Sequence, residues 1–180
     1  MQQNALLWLA GALMAAQVAP EQGPPAKLDA NECAVWRREL SFAQSVEKHD
    51  AKAFAAHLHP GAIFNAGTNS PARGSEAVKA AWAPLIEGKE LILRWHPDVV
   101  NIGGDRNIAV STGPFMMEEP SPNAKVRFQV GRFISIWTRK SAKDEWLVLF
   151  DGGGSPPVPV KDKQEALEYM AKAPKTCPAR

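Results

Sequence analysis

The 180-residue sequence lacks any concentration of charge of one sign. Its 21 Lys and Arg and 19 Asp and Glu leave a formal net charge of +2, with no basic run or stripe. Proteins that bind nucleic acid usually carry clustered basic side chains that face the phosphates. We therefore expect no nucleic-acid partner.

Several motifs that carry chemistry are also missing. The chain has no tandem repeat, Gly-rich phosphate loop or heptad pattern. His57 and His59 lie two residues apart across a predicted helix end, without a third ligand at metal-binding spacing. No Ser–His–Asp arrangement can be argued from spacing. We therefore expect neither a metal nor a cofactor, and the sequence names no reaction.

No apolar run is long enough to span a bilayer comfortably. The run at residues 6–19, LLWLAGALMAAQVA, has the length of a signal-peptide core. No Lys or Arg precedes it, so a buried or membrane-lying helix is the alternative. We expect residues 1–19 to be a signal peptide and residues 20–28 a linker. The mature protein would then be secreted or periplasmic, without a stable membrane span.

Cysteine is scarce, and its placement supports export. Cys33 follows the linker and Cys177 lies in the Pro-flanked C-terminal tail. An even count that flanks one domain in an exported chain predicts one disulfide, with two unrelated thiols as the alternative.

Hydrophobic periodicity divides the remaining chain into helices followed by strands. The predicted helices run from an Asp29 or Asn31 cap to about Lys48, from Ala51 to Leu58, from Glu76 (capped by Ser75) to Glu87, and from Lys161 to Ala171. The predicted strands are Ala62–Asn65, Glu90–His96, Ile108–Met117 and the two arms of a hairpin within Val126–Gly154. Helices that are segregated from an antiparallel meander indicate the α+β class. We expect a curved antiparallel sheet wrapped around helices, shaped as a cone with an internal pocket, over residues 29–155. Residues 156–180 would form a C-terminal extension with a short helix.

The hairpin carries the most informative carboxylate. Period-2 alternation puts Trp146, Val148 and Phe150 on one face of its second strand. Asp151 falls on the opposite face, where it ends an apolar row.

The order of these segments resembles the SnoaL-like domains of the nuclear transport factor 2-like superfamily. The resemblance covers about residues 41–154, most of the expected mature chain. It is carried by Phe42 to Asp50, Phe54, Pro60–Phe64, Arg73–Ala77, Trp82, Ser111–Pro114, Gly131–Trp137 and Trp146–Asp151. It implies a cone whose interior is a mostly apolar pocket, often in dimers across the sheet. The family includes isomerases, dehydratases, cyclases, ligand binders and oligomerisation modules, so the fold alone does not assign a function.

Enzymes of this superfamily typically place an Asp or His base in the pocket, with a Tyr or another donor beside the oxyanion. The one tyrosine of this chain, Tyr169, lies outside the resembling region. A phenolic donor is therefore not expected.

Asp151 has two alternative roles. Burial in the pocket would raise its pKa and suit it to proton transfer. Alternatively, its carboxylate accepts backbone N–H bonds at Gly152–Gly154 and fixes the hairpin exit. We favour the second role from the sequence, because buried polar groups usually serve structure.

His96 is the other catalytic candidate. Together with Arg94 and Asp98 it could form an acid–base and anion-binding set, if Pro97 introduces no bulge. The alternative, which we favour, is the solvated face of an edge strand.

Aromatic residues come from every element that would surround the cone interior. The candidate pocket residues are Trp36, Phe64, Trp82, Trp95, Phe115, Phe133 and Trp137. We expect an exported domain that binds a small apolar molecule. The alternatives are an isomerase, dehydratase or cyclase that uses Asp151 or His96, and a non-catalytic scaffold that forms a homodimer.

Overall fold

A computed structural model of the chain describes residues 27–152, 154 and 156–180. The expected signal peptide, and all but the last two residues of the expected linker, lie outside the described residues. Within the described part, no helix is both long and apolar enough to cross a bilayer.

The described chain forms four helices and eight strands. The helices are α1 (Ala30–Glu47), α2 (Ala51–Ala55), α3 (Ser75–Glu87) and α4 (Lys163–Met170). The strands are β1 (Leu58–Phe64), β2 (Ala72–Arg73), β3 (Ile92–Trp95), β4 (Val99–Gly103), β5 (Ile108–Glu118), β6 (Phe128–Thr138), β7 (Leu147–Asp151) and β8 (Val158–Val160). The expected α+β class is confirmed.

One strongly curled sheet holds all eight strands. Its order is β2-β1-β7-β6-β5-β3, with β4 also paired to β5 and β8 to β6. Adjacent strands run antiparallel except β1 and β7, which are parallel. Helices α1 and α3 contact strands of this sheet and α2 packs against both helices, so that a cone is closed around one apolar core.

Helix α1 begins where the sequence predicts a cap. The Asp29 side chain accepts hydrogen bonds from the backbone N–H groups of Asn31 and Glu32, and the Glu32 carboxylate accepts one from Asp29 N. This reciprocal capping box satisfies donors that the first turn would otherwise leave free. It selects Asp29 over Asn31 as the cap.

The second helix is shorter than predicted. It ends at Ala55, and Leu58 already belongs to β1, where it pairs with Val148 of β7. Pro60 and Gly61 lie inside β1, at a register shift between Leu58 and Ile63. A bulge accommodates a proline that cannot donate to the ladder. Sheet pairing therefore overrides the helical spacing of Phe54 and Leu58.

Helix α3 differs from the prediction only at its start. Gly74, with φ of 84°, is the N-cap, and no side chain caps the helix, so the prediction that Ser75 is the cap is wrong. Gly88, at φ of 66°, ends the helix in the left-handed region that glycine tolerates.

The prediction for the hairpin faces is wrong in the second strand. Trp137 pairs with Val148, but Ile136 pairs with Phe150, so one extra residue bulges from β7 at Leu149. The bulge reverses the alternation beyond it. Asp151 consequently pairs with the buried Ser135 and shares the concave face with Val148 instead of opposing it.

The core under the sheet is an aromatic cluster centred on Phe42. Its ring lies 5.0 Å from that of Phe54, 5.4 Å from Trp95, 5.9 Å from Trp137 and 6.1 Å from Trp82, between centroids. Several pairs are edge-to-face, the arrangement that the ring quadrupoles favour. Because these rings fill the centre of the cone, any cavity must lie beside the cluster.

The C-terminal residues pack onto the same domain. Strand β8, which the sequence does not predict, extends the sheet beside β6, and α4 packs on the outer sheet face against Met116, Phe128 and Val130. Cys33 and Cys177 form a disulfide with their Cα atoms 5.6 Å apart. The predicted bridge is therefore present in the structure.

Removal of this bridge is expected to destabilise the fold strongly. It joins residues 144 apart in sequence, and closing a loop of that size is worth about 4–5 kcal/mol in the chain-entropy model. The double variant Cys33→Ala/Cys177→Ala should lose up to that much unfolding free energy in urea denaturation. A reductant should lower the stability of the wild type and leave the variant unchanged. Equal stability of the two proteins without reductant would contradict the prediction.

Candidate functional site

A cavity of about 470 Å³ opens between α3 and the concave face of the sheet. Aromatic and aliphatic side chains form most of its wall, together with a few polar groups. Its described lining is Asn65, Thr68, Ala81, Trp82, Leu85, Leu93, Trp95, Phe115, Met117, Arg132, Phe133, Asp151, Gly152, Gly154, Pro156 and Pro157. A larger hollow of about 520 Å³ lies at the turn between β6 and β7, but several ionic side chains line it. The first cavity is the candidate site, since it combines aromatic walls with a half-buried acid, Asp151.

Four of the seven expected aromatic residues line this cavity. They are Trp82, Trp95, Phe115 and Phe133. The other three, Trp36, Phe64 and Trp137, are almost fully buried in the core and do not belong to the described lining. Trp36 donates its indole N–H to Pro97 O at 3.1 Å. Phe64 packs edge-to-face against Trp82 of the wall, with the ring centroids 5.3 Å apart.

Asp151 reaches the cavity from the end of β7. Its Oδ2 accepts a hydrogen bond from Ser135 Oγ at 3.0 Å. Gly152 N–H donates to Ile134 O, and neither Gly152 nor Gly154 donates to the carboxylate. Gly153 lies outside the described residues. In the described part, the carboxylate is therefore held by a serine hydroxyl and not by the backbone beyond it.

The surroundings raise the pKa of Asp151 to about 7. Burial removes the water that would stabilise the charged form, and the negative charge of Glu39 acts in the same direction. The hydrogen bond from Ser135 opposes these effects only in part. A carboxyl group with this pKa can both give and take a proton near neutral pH.

Glu39 is the second acid of the site, and it is fully buried. Its Oε1 accepts the indole N–H of Trp95 at 2.7 Å and its Oε2 that of Trp137 at 2.6 Å. Desolvation raises the pKa of Glu39, against the stabilising effect of the two indoles and the nearby serine hydroxyls. Two short hydrogen bonds, one to each oxygen, hold this carboxyl in place.

His96 does not join Asp151. It follows the end of β3, its N–H donates to Pro114 O, and its side chain is not part of the cavity's described lining. Asp98 forms a two-pronged ion pair with Arg132, at 2.8 and 2.6 Å. Pro97 separates β3 from a distinct strand, β4, so Arg94, His96 and Asp98 do not form one continuous strand face.

The other histidine candidates have structural contacts. His57 is buried between Ser41 Oγ and Ala53 O, each 2.7 Å from a ring nitrogen. Desolvation, aided by the positive charge of Arg38, lowers the pKa of His57 to about 4, so the ring is neutral. No group of three or more His, Cys, Asp or Glu side chains suited to a metal occurs within the described residues.

Two polar side chains at the cavity mouth can face a bound molecule. Asn65 follows β1 with φ of 56°, a conformation that side-chain-bearing residues rarely adopt. Asn65 and Thr68 both belong to the cavity lining.

Tyr169 lies on α4 against the outer sheet face, so it supplies no phenolic donor here.

Sequence reasoning missed Glu39, Ser135 and Asn65. The signal for Glu39 was present, because it lies four residues after Val35 and three before Phe42 on the buried side of α1. A carboxyl group within the buried face of a helix must have hydrogen-bond donors nearby. Its indole donors come from β3 and β6, and helical periodicity does not reveal such distant contacts.

Comparison with known proteins agrees with this architecture. A family model described as "SnoaL-like domain" matches residues 40–146. No protein among the curated ones matches the chain.

Solved structures share the fold at low sequence identity. A nuclear transport factor 2-like superfamily protein from Salmonella enterica serovar Typhimurium is 17% identical with a TM-score of 0.54, covering 74% of this chain and 96% of that one. A ketosteroid isomerase-like protein from Erwinia carotovora atroseptica is 10% identical with a TM-score of 0.56, covering 69% and 95%. A protein of the same fold and unknown function from Pseudomonas putida is 14% identical with a TM-score of 0.56, covering 76% and 92%. These likenesses establish the fold.

The raised pKa of Asp151 has a measurable effect on stability. The unfolded chain releases this proton near pH 3.8 and the folded chain near pH 7. The folded state therefore binds more protons in this window, and its stability falls as the pH rises through it. A shift of this size corresponds to at most about 4 kcal/mol above pH 7.

Asp151→Asn removes the buried charge and keeps an oxygen for Ser135. We expect the variant to be more stable than the wild type at pH 8, by about 1–4 kcal/mol, with the difference shrinking towards pH 4. Urea denaturation at both pH values measures this. Asp105→Asn, the same change in an exposed turn, is the control and should have little effect at either pH. A loss of stability in Asp151→Asn at pH 8 would contradict the prediction and favour a role in fixing the hairpin exit.

Proposed function

The chain belongs to the family of SnoaL-like domains, and from that membership we propose that its cavity binds a small, mostly apolar molecule. The observation that carries the proposal is an open volume of about 470 Å³ walled by aromatic rings around one carboxyl group. Apolar walls with a few directed polar groups are typical of small-molecule sites. Trp82, Trp95, Phe115 and Phe133 supply faces and edges that favour a flat ligand.

The charges of the cavity restrict the ligand further. Asp151 lies in its wall with Glu39 close behind, and the Arg132 guanidinium is already paired with Asp98. An anionic ligand would meet these acids, and among the described lining residues no unpaired cation is present to balance its charge. A neutral molecule with a hydrogen-bonding group directed at Asp151 fits the site best.

Proton transfer is the second candidate function. The observation that favours it is a carboxyl group in the cavity with a pKa of about 7, the range suited to an acid or base at neutral pH. In such a reaction Asp151 would remove or return a proton on the ligand, and the Asn65 amide could donate a hydrogen bond to an oxygen of the substrate. An isomerase, dehydratase or cyclase would use this arrangement. One structure of the same fold is described as ketosteroid isomerase-like, but its 10% identity carries no further argument.

A purely structural role is less well supported. A scaffold needs a core filled by side chains, whereas this domain keeps a cavity.

The strands β4 and β5 carry three exposed aliphatic side chains, Val99, Ile108 and Val110. Such an apolar surface is suited to burial in a homodimer, and we include that assembly in the proposal.

Export is also part of the proposal. Disulfides form and persist mainly in oxidising compartments, and the Cys33–Cys177 bridge supports a secreted or periplasmic location. The apolar run at residues 6–19 has the length that export requires.

Narrowing the cavity mouth should weaken binding. Ala81 and Ala80 are adjacent, exposed residues of α3, but only Ala81 lines the cavity. We expect 2-naphthol, a flat neutral probe, to bind the wild type in isothermal titration calorimetry, and Ala81→Phe to weaken binding at least about tenfold because the new ring occupies the mouth. Ala80→Phe, the matched control, should bind as the wild type does.

The anion 2-naphthalenesulfonate tests the charge argument. It has the same ring system and should bind more weakly than 2-naphthol. Equal affinities of wild type and Ala81→Phe for 2-naphthol, or no binding by a panel of neutral bicyclic probes, would overturn the proposal.

A further inference from the structure

Two carboxyl groups bind neighbouring positions on the concave face of β6, where Asp151 accepts a hydrogen bond from Ser135 and Glu39 accepts one from Trp137. Ser135 Oγ donates to Asp151 Oδ2 at 3.0 Å and also lies close enough to Glu39 to favour its charged form. Ser111 Oγ adjoins Glu39 as well, and this buried hydroxyl has no hydrogen-bond partner of normal geometry within the described residues. Asp151, Ser135 and Glu39 thus form one polar cluster between the cavity wall and the core.

No positive charge balances this pair. Among the described residues, neither carboxylate takes part in an ion pair with a Lys, Arg or His side chain. Arg132 lines the same cavity, but both of its terminal nitrogens bind Asp98. His57 approaches from α2, behind Trp137 with their ring centroids 6.4 Å apart, and its ring is neutral. Strands β1 and β5 and helix α3 contribute only uncharged groups to the described lining around Asp151.

The indole donors cannot replace a counter-ion. Trp95 and Trp137 each occupy one oxygen of Glu39 and orient the group. Each brings a dipole and no net charge. Two desolvated like charges without a cation repel each other, and the usual outcome is that one of them keeps its proton.

We propose that Glu39 and Asp151 act as one coupled carboxyl pair that retains a single proton between them near neutral pH, with Glu39 as the positioning residue that keeps Asp151 protonatable. Glu39 touches no ligand in this arrangement. It acts through its charge on Asp151, and through Trp95, whose ring forms cavity wall while its N–H is held by Glu39.

The two carboxyl groups have different roles in this pair, one held in place and the other able to exchange a proton. Glu39, with both oxygens occupied by indole N–H groups, is the member that is fixed in position. Asp151, with one serine donor and open space beside it, is the member that can exchange its proton with a bound molecule. The inference concerns the empty protein, so it does not depend on which ligand the cavity accepts.

The pair is tested by carbon-13 NMR titration of the side-chain carboxyl carbons in the full chain. In Glu39→Gln, the midpoint of Asp151 should fall by at least about one pH unit, because a neutral neighbour no longer opposes its ionisation. Glu47→Gln, which removes an exposed carboxylate from the end of the same helix, is the matched control and should leave that midpoint unchanged. The indole N–H resonances of Trp95 and Trp137 report whether the core around the substituted side chain is retained.

The reciprocal experiment remains available if Glu39→Gln does not fold. In Asp151→Asn, the midpoint of Glu39 should fall by a similar amount, since coupling between two sites is mutual. This substitution lies at the cavity wall and keeps the shape of the side chain. An Asp151 midpoint that is unchanged in a folded Glu39→Gln protein, or a Glu39 midpoint that is unchanged in Asp151→Asn, would overturn the proposal.

Discussion

The burial of Glu39 within an aromatic core is the constraint on which the site depends. A carboxyl group without water must have every oxygen engaged, and the Trp95 and Trp137 indoles meet that demand from two strands of the sheet. These bonds link α1 to β3 and β6 across the cone. They fix the direction of the Trp95 ring, which forms part of the cavity wall. The shape of the cavity and the position of the buried charge therefore have one physical origin.

The same burial explains why Asp151 differs from an ordinary surface acid. Desolvation and the neighbouring Glu39 both favour its neutral form. Because the pKa of Asp151 is raised, its position in the cavity lowers the free energy of unfolding above neutral pH. A group that destabilises the fold, and yet lies at the wall of an open apolar cavity, is more readily explained by ligand binding or proton transfer than by structure.

Much of the architecture could be predicted from local patterns. The Asp29 cap, the extent of α1, the strands β5 and β6 and the α+β class all follow from signals within a few residues. Apart from the predicted Ser75 cap, the main errors lie where contacts with distant parts of the chain decide the structure. Leu58 joins β1 because β7 lies beside it, against the helical spacing of its own segment. Strand β8 forms because the edge of β6 is available to it, and its Val-Pro-Val sequence carries little strand signal.

The site was harder to predict than the fold. Asp151 could be identified as an unusual carboxylate, but strict alternation put it on the wrong face, since a single bulge at Leu149 is invisible in the sequence. Of the seven aromatic candidates, four line the cavity and three are almost fully buried in the core, a division that the sequence does not encode locally. Glu39 was overlooked because its partners lie 56 and 98 residues away in the chain.

Neutron diffraction from deuterated crystals grown near pH 6 tests the central claim most directly, since it locates the protons on the two carboxyl groups. We expect one deuteron on the pair formed by Glu39 and Asp151, and deuterated indole nitrogens directed at both oxygens of Glu39. Two fully ionised carboxylates at that pH, or an Asp151 carboxylate that accepts only backbone N–H bonds, would contradict the account.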